Sequence, residues 1–237
     1  KKAGNARIEL HTASLNDSLA MLDEAENALS ALNEVCTSAL SQVMQASNGT
    51  MSEADRKAAA DALYSYQEMI LAAANTRFSD RYLFGGESFG STPFTVDGSG
   101  ALFYNGQDVD TGAFGEENRY VDIGIGLSFL PDGSVSPQSA LDVAYSGARL
   151  LGTGVDGNGL PNNLYNLIGA IAVKMESGDL SDIESYTAKL ETCADNIRMQ
   201  YVGIGEKSNY IEFFTDRLAR NEITAASRQH DLEALTL

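Results

Sequence analysis

The feature that most constrains this chain is a seven-residue repeat of apolar residues near each end of the sequence. The repeat near the start includes Leu15, Leu22, Leu29, Cys36 and Val43, and the repeat near the end includes Leu190, Ile197, Ile204, Ile211 and Leu218. Residues seven apart lie on one face of a helix, so each repeat predicts one long amphipathic helix. Neither helix could bury this face alone, and the two ends of the chain are therefore expected to pack side by side.

The length of the second repeat predicts an elongated molecule. A helix over residues 181 to 235 would extend about 80 Å at 1.5 Å per residue. The predicted fold class is mainly α, an elongated antiparallel helical bundle, or rod, with a small inserted β-subdomain. In this interpretation residues 1–86 and 137–237 form a discontinuous helical domain, and residues 87–136 form the β-rich insert.

Local signals divide the helical part that precedes the insert. Asn48-Gly49-Thr50 is expected to break the first helix, and Ser52 with Asp55 resembles a capping box that begins a second one. The apolar period of this second helix continues to Phe84, which predicts that Asn75 to Phe84 is its last part. Gly85-Gly86 would then be the point at which the chain turns out of the helix.

The remaining elements are predicted from composition and period. Short runs at residues 94–96, 102–104 and 119–129 combine aromatic and β-branched residues between turn-forming residues, which indicates strands. Helical pattern returns near residue 138 and predicts two shorter helices, at about 138–150 and 161–176, before the final long one.

Charge excludes two classes of partner. The chain has 33 acidic and 16 basic residues and a net charge of -17, so a phosphate backbone or an anionic bilayer would repel it. No apolar run approaches the length of a membrane span. Cys36 and Cys193 are too few and too far apart in the sequence for a disulfide framework or a zinc site, and they are interpreted as buried thiols.

One motif suggests catalysis. Residues 86 to 90 match the G-x-S-x-G pattern that places a serine nucleophile, here Ser88, on a strand-to-helix elbow of α/β-hydrolases. The elbow needs a strand before the serine, a helix after it and a histidine downstream. Here the preceding residues have a helical pattern, Ser91-Thr92-Pro93 follows, and the downstream histidine, His230, belongs to the last long helix. Catalysis by Ser88 is therefore not expected.

Two further patterns also have simpler interpretations. Gly152 to Gly157 matches a dinucleotide fingerprint, but that motif has meaning between a strand and a helix, whereas a helix is predicted before it. Asp108 and Asp110, with Glu116 and Glu117, could supply oxygen ligands to calcium, but their spacing lacks features of an EF-hand loop. The sequence thus predicts no catalytic residue, no cofactor and no metal site, and the chain is not expected to be an enzyme.

Several short runs of the chain resemble the flagellin superfamily of bacterial flagella. They are Gln45 to Thr50, Ser52 to Arg56, Asn75-Thr76-Arg77, Arg81-Tyr82-Leu83-Phe84-Gly85-Gly86, Thr92 to Phe94 and Tyr104 to Gly106. Within the superfamily the last three runs are most similar to hook-filament junction proteins, which are the third hook-associated proteins. The resemblance implies that Asn75 to Gly86 is a helix-exit motif leading to the outer β-subdomain, and that Ser88 lies in a loop. A departure is Phe78-Ser79-Asp80, where the family commonly has a glycine-bearing turn.

The resemblance also implies a structural function with no catalytic step. It implies a structural adaptor, secreted and extracellular, that joins hook to filament through packing of helical rod domains. The implied partners are further copies of the full-length protein, another hook-associated protein on the hook side, flagellin on the filament side and an export chaperone. Segments beyond both ends of this sequence are expected in the full-length protein. The alternatives are flagellin itself or, from other classes, a secreted adhesin or a serine hydrolase that uses Ser88.

Overall fold

The structure, a computed structural model, describes residues 2–49, 51–88, 90–123 and 126–234. Within these ranges, side chains are described from residue 9 to 224 and at 226 and 227. The helices are α1 (Lys2–Ser47), α2 (Glu53–Ala74), α3 (Gly147–Leu151), α4 (Leu164–Ser177) and α5 (Ile183–Ala234). The strands are β1 (Arg77–Phe78), β2 (Arg81–Tyr82), β3 (Phe94–Val96), β4 (Leu102–Tyr104), β5 (Gln107–Asp108), β6 (Tyr120–Asp122) and β7 (Ala140–Asp142). The prediction of a mainly α fold with a small β component is confirmed.

The strands form small antiparallel sheets of two or three strands. β1 pairs with β2, the order β3-β4-β5 makes the largest sheet, and β6 pairs with β7. In the central sheet Thr95 lies opposite Phe103, and this register turns Phe94 and Tyr104 to the same buried side.

The chain divides into two compact units. Unit 1 comprises Lys1–Asp23, Asn118–Val143 and Ile204–Leu237, and unit 2 comprises Glu24–Glu117 and Ala144–Gly203. β6 and β7 belong to unit 1, and the other strands belong to unit 2. Strands thus occur on both sides of the segment 87–136, and the domain boundaries at residues 86 and 137 stay a prediction.

Within unit 2, α1 and α5 run antiparallel. The Tyr201 hydroxyl on α5 donates a hydrogen bond of 2.9 Å to the Glu26 carboxylate on α1. Met44, further along α1, shares a cleft with Thr187, which lies earlier on α5. Residues later in α1 therefore lie beside residues earlier in α5, which is the arrangement of an antiparallel pair.

The residues of the seven-residue repeat are buried. Leu15, Leu22, Leu29, Cys36, Val43, Leu190, Ile197, Ile204, Ile211 and Leu218 are at most 8% exposed. With 52 residues, α5 is about 78 Å long. In the part of the chain that the structure describes, no helix has both the length and the apolar character to cross a bilayer.

Helix α2 packs antiparallel to α4 in unit 2. The Gln67 side-chain amide donates to the carbonyl oxygen of Tyr165 at 2.8 Å, and the Tyr64 hydroxyl donates to Glu176 at 3.2 Å. Gly169 faces Gln67, where an added Cβ would lie 2.5 Å from the amide nitrogen. A larger residue at position 169 would therefore require the Gln67 amide to move away from the Tyr165 carbonyl.

The break between α1 and α2 follows the predicted signals. Gly49, two residues after the end of α1, has a φ of +69°, and Thr50 lies outside the described residues. The Asp55 main-chain N–H donates to the Ser52 hydroxyl at 3.2 Å, and the Ser52 N–H donates to the Asp55 carboxylate at 3.1 Å. This is the predicted capping box, and it begins α2.

The prediction that α2 continues to Phe84 is wrong. The helix ends at Ala74 with Asn75 as its C-cap, and residues 77–82 form the β1–β2 hairpin. Leu83 and Phe84, the apolar residues that follow the hairpin, are buried outside any helix. Gly85 and Gly86 consequently do not end a helix, because they follow the second strand of this hairpin.

The predicted helix at 138–150 is also wrong over most of its length. Ala140 to Asp142 form β7, which pairs with β6, and the Asp142 carboxylate accepts the Arg119 N–H at 2.9 Å. α3 begins only at Gly147, where the Ser146 hydroxyl caps it. The strand predicted at 119–129 is limited to β6 and a single bridge of Phe129 to Val135, with residues 124 and 125 outside the described ranges.

Candidate functional site

The candidate site is the place in unit 2 where four of the flagellin-like runs meet, beginning with Asn75 at the end of α2. The Asn75 N–H still donates to the Leu71 carbonyl, as in a helix. Its side-chain amide donates to the Phe94 carbonyl at 2.9 Å, and its amide oxygen accepts the Phe94 N–H at 2.9 Å. The side chain thus pairs with β3 as a neighbouring strand would, and α2 and β3 are joined by one residue.

The hairpin after Asn75 turns through two residues. Arg77 pairs with Tyr82 and Phe78 with Arg81, which leaves Ser79 and Asp80 as the turn. Ser79 has a φ of +56°, in the left-handed region that favours glycine. This is the position at which the sequence departs from the glycine-bearing turn of the family.

Side chains also fix the hairpin. The Arg77 guanidinium lies 5.1 Å from the centre of the Tyr82 ring, a cation–π contact. The Tyr82 and Thr92 hydroxyl oxygens are 3.0 Å apart, and the Leu83 N–H donates to the Thr76 carbonyl at 3.0 Å. These contacts place Gly85 and Gly86 against the segment before α3.

Two glycines allow that contact. Gly85 forms a bridge with Ser146, and the Gly86 N–H donates to the Tyr145 carbonyl at 3.2 Å. Gly86 has a φ of +62°, and a Cβ there would overlap the Glu117 carboxylate. Any other residue at position 86 would therefore be strained and would displace Glu117.

The run Tyr104-Asn105-Gly106 is connected to the same place. Asn105 and Gly106 have φ values of +48° and +81° and form the two-residue turn between β4 and β5, a combination typical of Asn-Gly hairpins. The Asn105 side-chain amide donates to the Gly85 carbonyl at 3.1 Å. Asn105 thus forms part of the turn and also holds the helix-exit segment through the Gly85 carbonyl.

Aromatic side chains fill the space between these segments. The Phe94 and Tyr104 rings lie 5.0 Å apart, and Phe84 meets Tyr145 edge-on at 6.2 Å. A Cβ at Gly147 would lie 2.6 Å from ring carbons of both Phe94 and Tyr104. The first residue of α3 therefore packs directly on the rings.

The Tyr104 hydroxyl is the polar centre of this cluster. It donates to the Glu117 carboxylate at 2.8 Å and accepts the Gly147 N–H at 3.1 Å. Burial raises the pKa of Tyr104, and the Glu117 carboxylate raises it further. The tyrosine consequently stays protonated and can hold Glu117 in place over Gly86.

Ser88 lacks the setting of a hydrolase nucleophile. Turn residues precede it, and the chain after it leads to β3 without forming a helix in the residues that are described, which exclude Phe89. Its hydroxyl oxygen lies 3.4 Å from that of Ser91, and the side chain of His230 lies outside the described residues. The strand-to-helix elbow of the G-x-S-x-G interpretation does not occur here.

Three of the four acidic residues considered as calcium ligands bond within the chain. One Asp108 oxygen accepts the Asp110 N–H at 2.8 Å, and Asp110 accepts the Asn166 amide at 2.9 Å. Burial raises the pKa of Asp110. Glu117 faces a tyrosine hydroxyl, and Glu116 is exposed. Across the described ranges no group of three or more potential ligand residues could hold a metal ion.

The glycines from 152 to 157 form neither a strand-to-helix turn nor a phosphate-binding loop. Gly152 is the C-cap of α3, with a φ of +85°, and Val155 forms a bridge with Pro161 before α4 begins. A helix therefore precedes this loop, as expected, and the dinucleotide fingerprint is coincidental.

Sequence reasoning missed the residues that receive the helix-exit segment. Tyr145, Ser146 and Gly147 lie within the wrongly predicted helix, and the Glu117 carboxylate was considered only as a possible calcium ligand. A serine three residues before Arg149, at the start of a short apolar run, is a helix-start signal that could have placed α3 correctly. No local signal indicates that Gly147 packs on aromatic rings more than 40 residues earlier.

Comparisons with known proteins show the fold of the chain and a similarity over its first 88 residues. Residues 2–88 match the bacterial flagellin N-terminal helical region. A flagellar hook-associated protein of Vibrio parahaemolyticus aligns with a TM-score of 0.77 and 18% identity, over 97% of this chain and 93% of that chain. FlgL of Bacillus cereus aligns with a TM-score of 0.70 and 21% identity, over 94% and 95% of the two chains.

A third similar structure covers almost the whole chain. Flagellar hook associated protein-3 of Legionella pneumophila aligns with a TM-score of 0.77 and 14% identity, over 99% of this chain and 98% of that chain. No curated protein sequence matches the chain. Residues 2–88, which contain α1, α2 and the β1–β2 hairpin, are similar to the bacterial flagellin N-terminal helical region, and the chain as a whole has the fold of flagellar hook-associated proteins.

Proposed function

We propose that this protein is a structural subunit of the bacterial flagellum, an adaptor that joins the hook to the filament. The observation that carries the proposal is the combination of a flagellin N-terminal region with a fold shared, over nearly the full length, with hook-associated protein 3. The three runs that resemble junction proteins also meet at one place with the Asn75 run, through the Asn75–Phe94 and Asn105–Gly85 hydrogen bonds.

The proposed role requires stiffness, and the helices supply it. α1 and α5 have 46 and 52 residues, and each buries a continuous apolar stripe. A long helix bends less when its stripe is packed along its length. In a tube that transmits torque, subunits of this kind would resist bending through packing rather than through chemistry. No catalytic step is part of the proposal.

The helix-exit site has a separate role in this proposal. Asn75 and Gly86 hold the β-rich part of unit 2 against the end of α2 and the start of α3. The site is therefore a structural joint, and its residues are proposed to fix how the β segments are presented to neighbouring subunits.

The partners follow from the position proposed. They are other copies of the full-length protein, another hook-associated protein on the hook side and flagellin on the filament side. Secretion to the cell exterior as an unfolded chain would involve an export chaperone. The net charge of -17 opposes close contact between copies, so assembly is expected to strengthen as salt screens the repulsion.

The location of the protein in flagella tests the proposal. Immunogold electron microscopy with an antibody to this chain should label a narrow zone at the base of each filament. Cells without the gene should keep hooks, lose filaments and release flagellin into the medium, and the intact gene should restore filaments. Labelling absent from flagella would contradict any flagellar role.

A second candidate is flagellin itself, because the matched family is the flagellin N-terminal region. The same microscopy separates the two functions. Labelling along the whole filament, with this chain as the main protein of purified filaments, would favour a filament subunit and would overturn the junction proposal.

A further inference from the structure

Two thiols lie in the interior of unit 2, on facing helices, and the proposed function uses neither. Cys36 on α1 is 1% exposed and Cys193 on α5 is 7% exposed. Both are free cysteines. Burial raises the pKa of Cys36 to about 12 and that of Cys193 to about 11.

The helix register places the two thiols at nearly the same level. Tyr201 bonds to Glu26, and from this contact Cys36 is ten residues along α1, or about 15 Å. Cys193 is eight residues back along the antiparallel α5, or about 12 Å. The levels thus differ by only about 3 Å. In keeping with this, the negative charge of a Cys193 thiolate also raises the pKa of Cys36.

The surroundings of the two thiols differ. A cleft of about 430 Å³ in unit 2 has Cys193 in its wall, whereas Cys36 is not among its described lining residues. Arg149 and Lys189 line the same cleft. The Lys189 ammonium, which bonds to Asp156 at 3.1 Å, lowers the pKa of Cys193 against the effect of burial.

We propose that Cys193 and Cys36 are the entry thiol and the resolving thiol of an intrachain disulfide that staples α5 to α1 when an anionic low-molecular-weight disulfide enters the cleft. The cleft gives Cys193 access, and the Arg149 guanidinium in its wall favours a reagent with carboxylates. The Lys189 ammonium, in contrast, is already paired with Asp156. Cys36 is buried too deeply for the reagent to reach it, but it lies on the helix that packs against α5.

The chemistry balances as two exchanges. The Cys193 thiolate attacks one sulfur of the reagent, forms a mixed disulfide and releases one reagent thiolate, which takes up the proton lost by Cys193. The Cys36 thiolate then attacks the Cys193 sulfur, and the second reagent half leaves as a thiolate and is protonated. The reagent is reduced to two thiols, and the protein loses two hydrogens. Because both thiols are mostly protonated at neutral pH, the reaction should be slow there and faster at higher pH.

Glutathione disulfide is the probe for the test. The folded chain is incubated with it, quenched with acid at intervals, and analysed by intact-mass and peptide-mapping spectrometry. The expected sequence is a transient glutathione adduct on Cys193, followed by loss of two hydrogens and a Cys36–Cys193 crosslinked peptide. The oxidised protein should also melt at a higher temperature, and a reductant should reverse the change.

Two variants separate the roles. Cys36→Ala should accumulate a stable adduct on Cys193, and Cys193→Ala should leave Cys36 unmodified while the protein stays folded by circular dichroism. The proposal is overturned if the wild-type adduct on Cys193 persists without resolution, since the sulfurs then cannot meet. It is also overturned if Cys36 reacts as fast as Cys193, or if neither reacts below the melting temperature. Wild-type kinetics decide the question even if a variant fails to fold.

Discussion

Asn75 and Phe94 are joined by two hydrogen bonds of 2.9 Å, in which one side-chain amide pairs with both main-chain groups of one residue. Asn75 is at the same time the C-cap of α2. An isolated β3 edge would leave these main-chain groups without a partner once they are buried. Asn75 thus ends α2 and also provides the hydrogen-bond partner for both main-chain groups of Phe94, the first residue of β3.

Replacement of Asn75 by alanine should therefore destabilise unit 2. Two hydrogen bonds are lost and the groups of Phe94 remain partly buried, so a loss of about 2 to 3 kcal/mol in unfolding free energy is expected. Urea titration followed by circular dichroism measures it. Asn48→Ala, at an exposed asparagine after α1, is the matched control and should change stability by less than about 0.5 kcal/mol. Equal effects at the two sites would contradict the assigned role of Asn75.

At Ser79, in the turn of the β1–β2 hairpin, substitution is expected to increase stability. Ser79 has a φ of +56°, which costs a non-glycine residue about 1 kcal/mol or more. Ser79→Gly removes this strain, and Ser79→Asn reduces it without the extra freedom that glycine has in the unfolded chain. Both variants should raise the melting temperature. Asp80→Gly, at the next position, should not, since its φ is not positive in this structure. A lower melting temperature for both Ser79 variants would show that the serine makes a compensating contact.

The two long helices could be predicted from the sequence because their signal is repeated many times. Each turn of α1 and α5 adds one more apolar residue to the same face, so one misleading residue has little effect. Local capping chemistry also placed the start of α2, because the Ser52–Asp55 pair acts within four residues.

The end of α2, the strand β7 and most of the site could not be predicted in the same way. The residues after Asn75 have a helical period, but the Phe94 main chain, nineteen residues later, competes for the Asn75 amide. Ala140 to Asp142 likewise pair with β6, about twenty residues earlier. In both places a contact distant in sequence outweighs a weak local preference.

A charge in the buried stripe should be strongly destabilising. Ile197 is 0% exposed, and Ile197→Asp would bury a carboxylate without a partner, at a cost of about 4 kcal/mol or more. Met199, two residues later on the same helix, is 67% exposed, and Met199→Asp adds the same charge at the surface. Thermal melting of the two variants compares them directly. If Ile197→Asp melts within a degree or two of Met199→Asp, the stripe is not the core of α5.

Two glycines in helices should respond oppositely to alanine. At Gly147 the new methyl group would lie 2.6 Å from the Phe94 and Tyr104 rings, and overpacking of this kind costs about 1 to 3 kcal/mol. At Gly203, in α5, an added Cβ meets no atom within 4 Å, so Gly203→Ala should stabilise the helix by about 0.5 to 1 kcal/mol. Differential scanning calorimetry measures both changes. A gain in stability at Gly147 would mean that the aromatic cluster is looser than its geometry indicates.

Alkaline pH should weaken the fold through tyrosines that donate to carboxylates. Burial raises the pKa of Tyr104, with Glu117 adding to the effect, and burial followed by Glu176 raises that of Tyr64. Each folded-state pKa thus lies above the unfolded value of about 10, so the stabilisation is complete below pH 10 and is lost as the pH rises towards the folded values. Urea titrations at several pH values from 8 to about 11 should show this fall.

The variant Tyr104→Phe isolates the contribution of the site. It should be less stable than the parent at pH 8, because Glu117 and the Gly147 N–H lose a partner, but it should lose less stability between pH 8 and 11. Tyr120→Phe, at a tyrosine that is 39% exposed, is the control for loss of a surface hydroxyl and should be about as stable as the parent at pH 8. Parallel stability curves for the parent and Tyr104→Phe would show that Tyr104 does not ionise before the protein unfolds by another route, and the link between its hydroxyl and alkaline stability would be wrong.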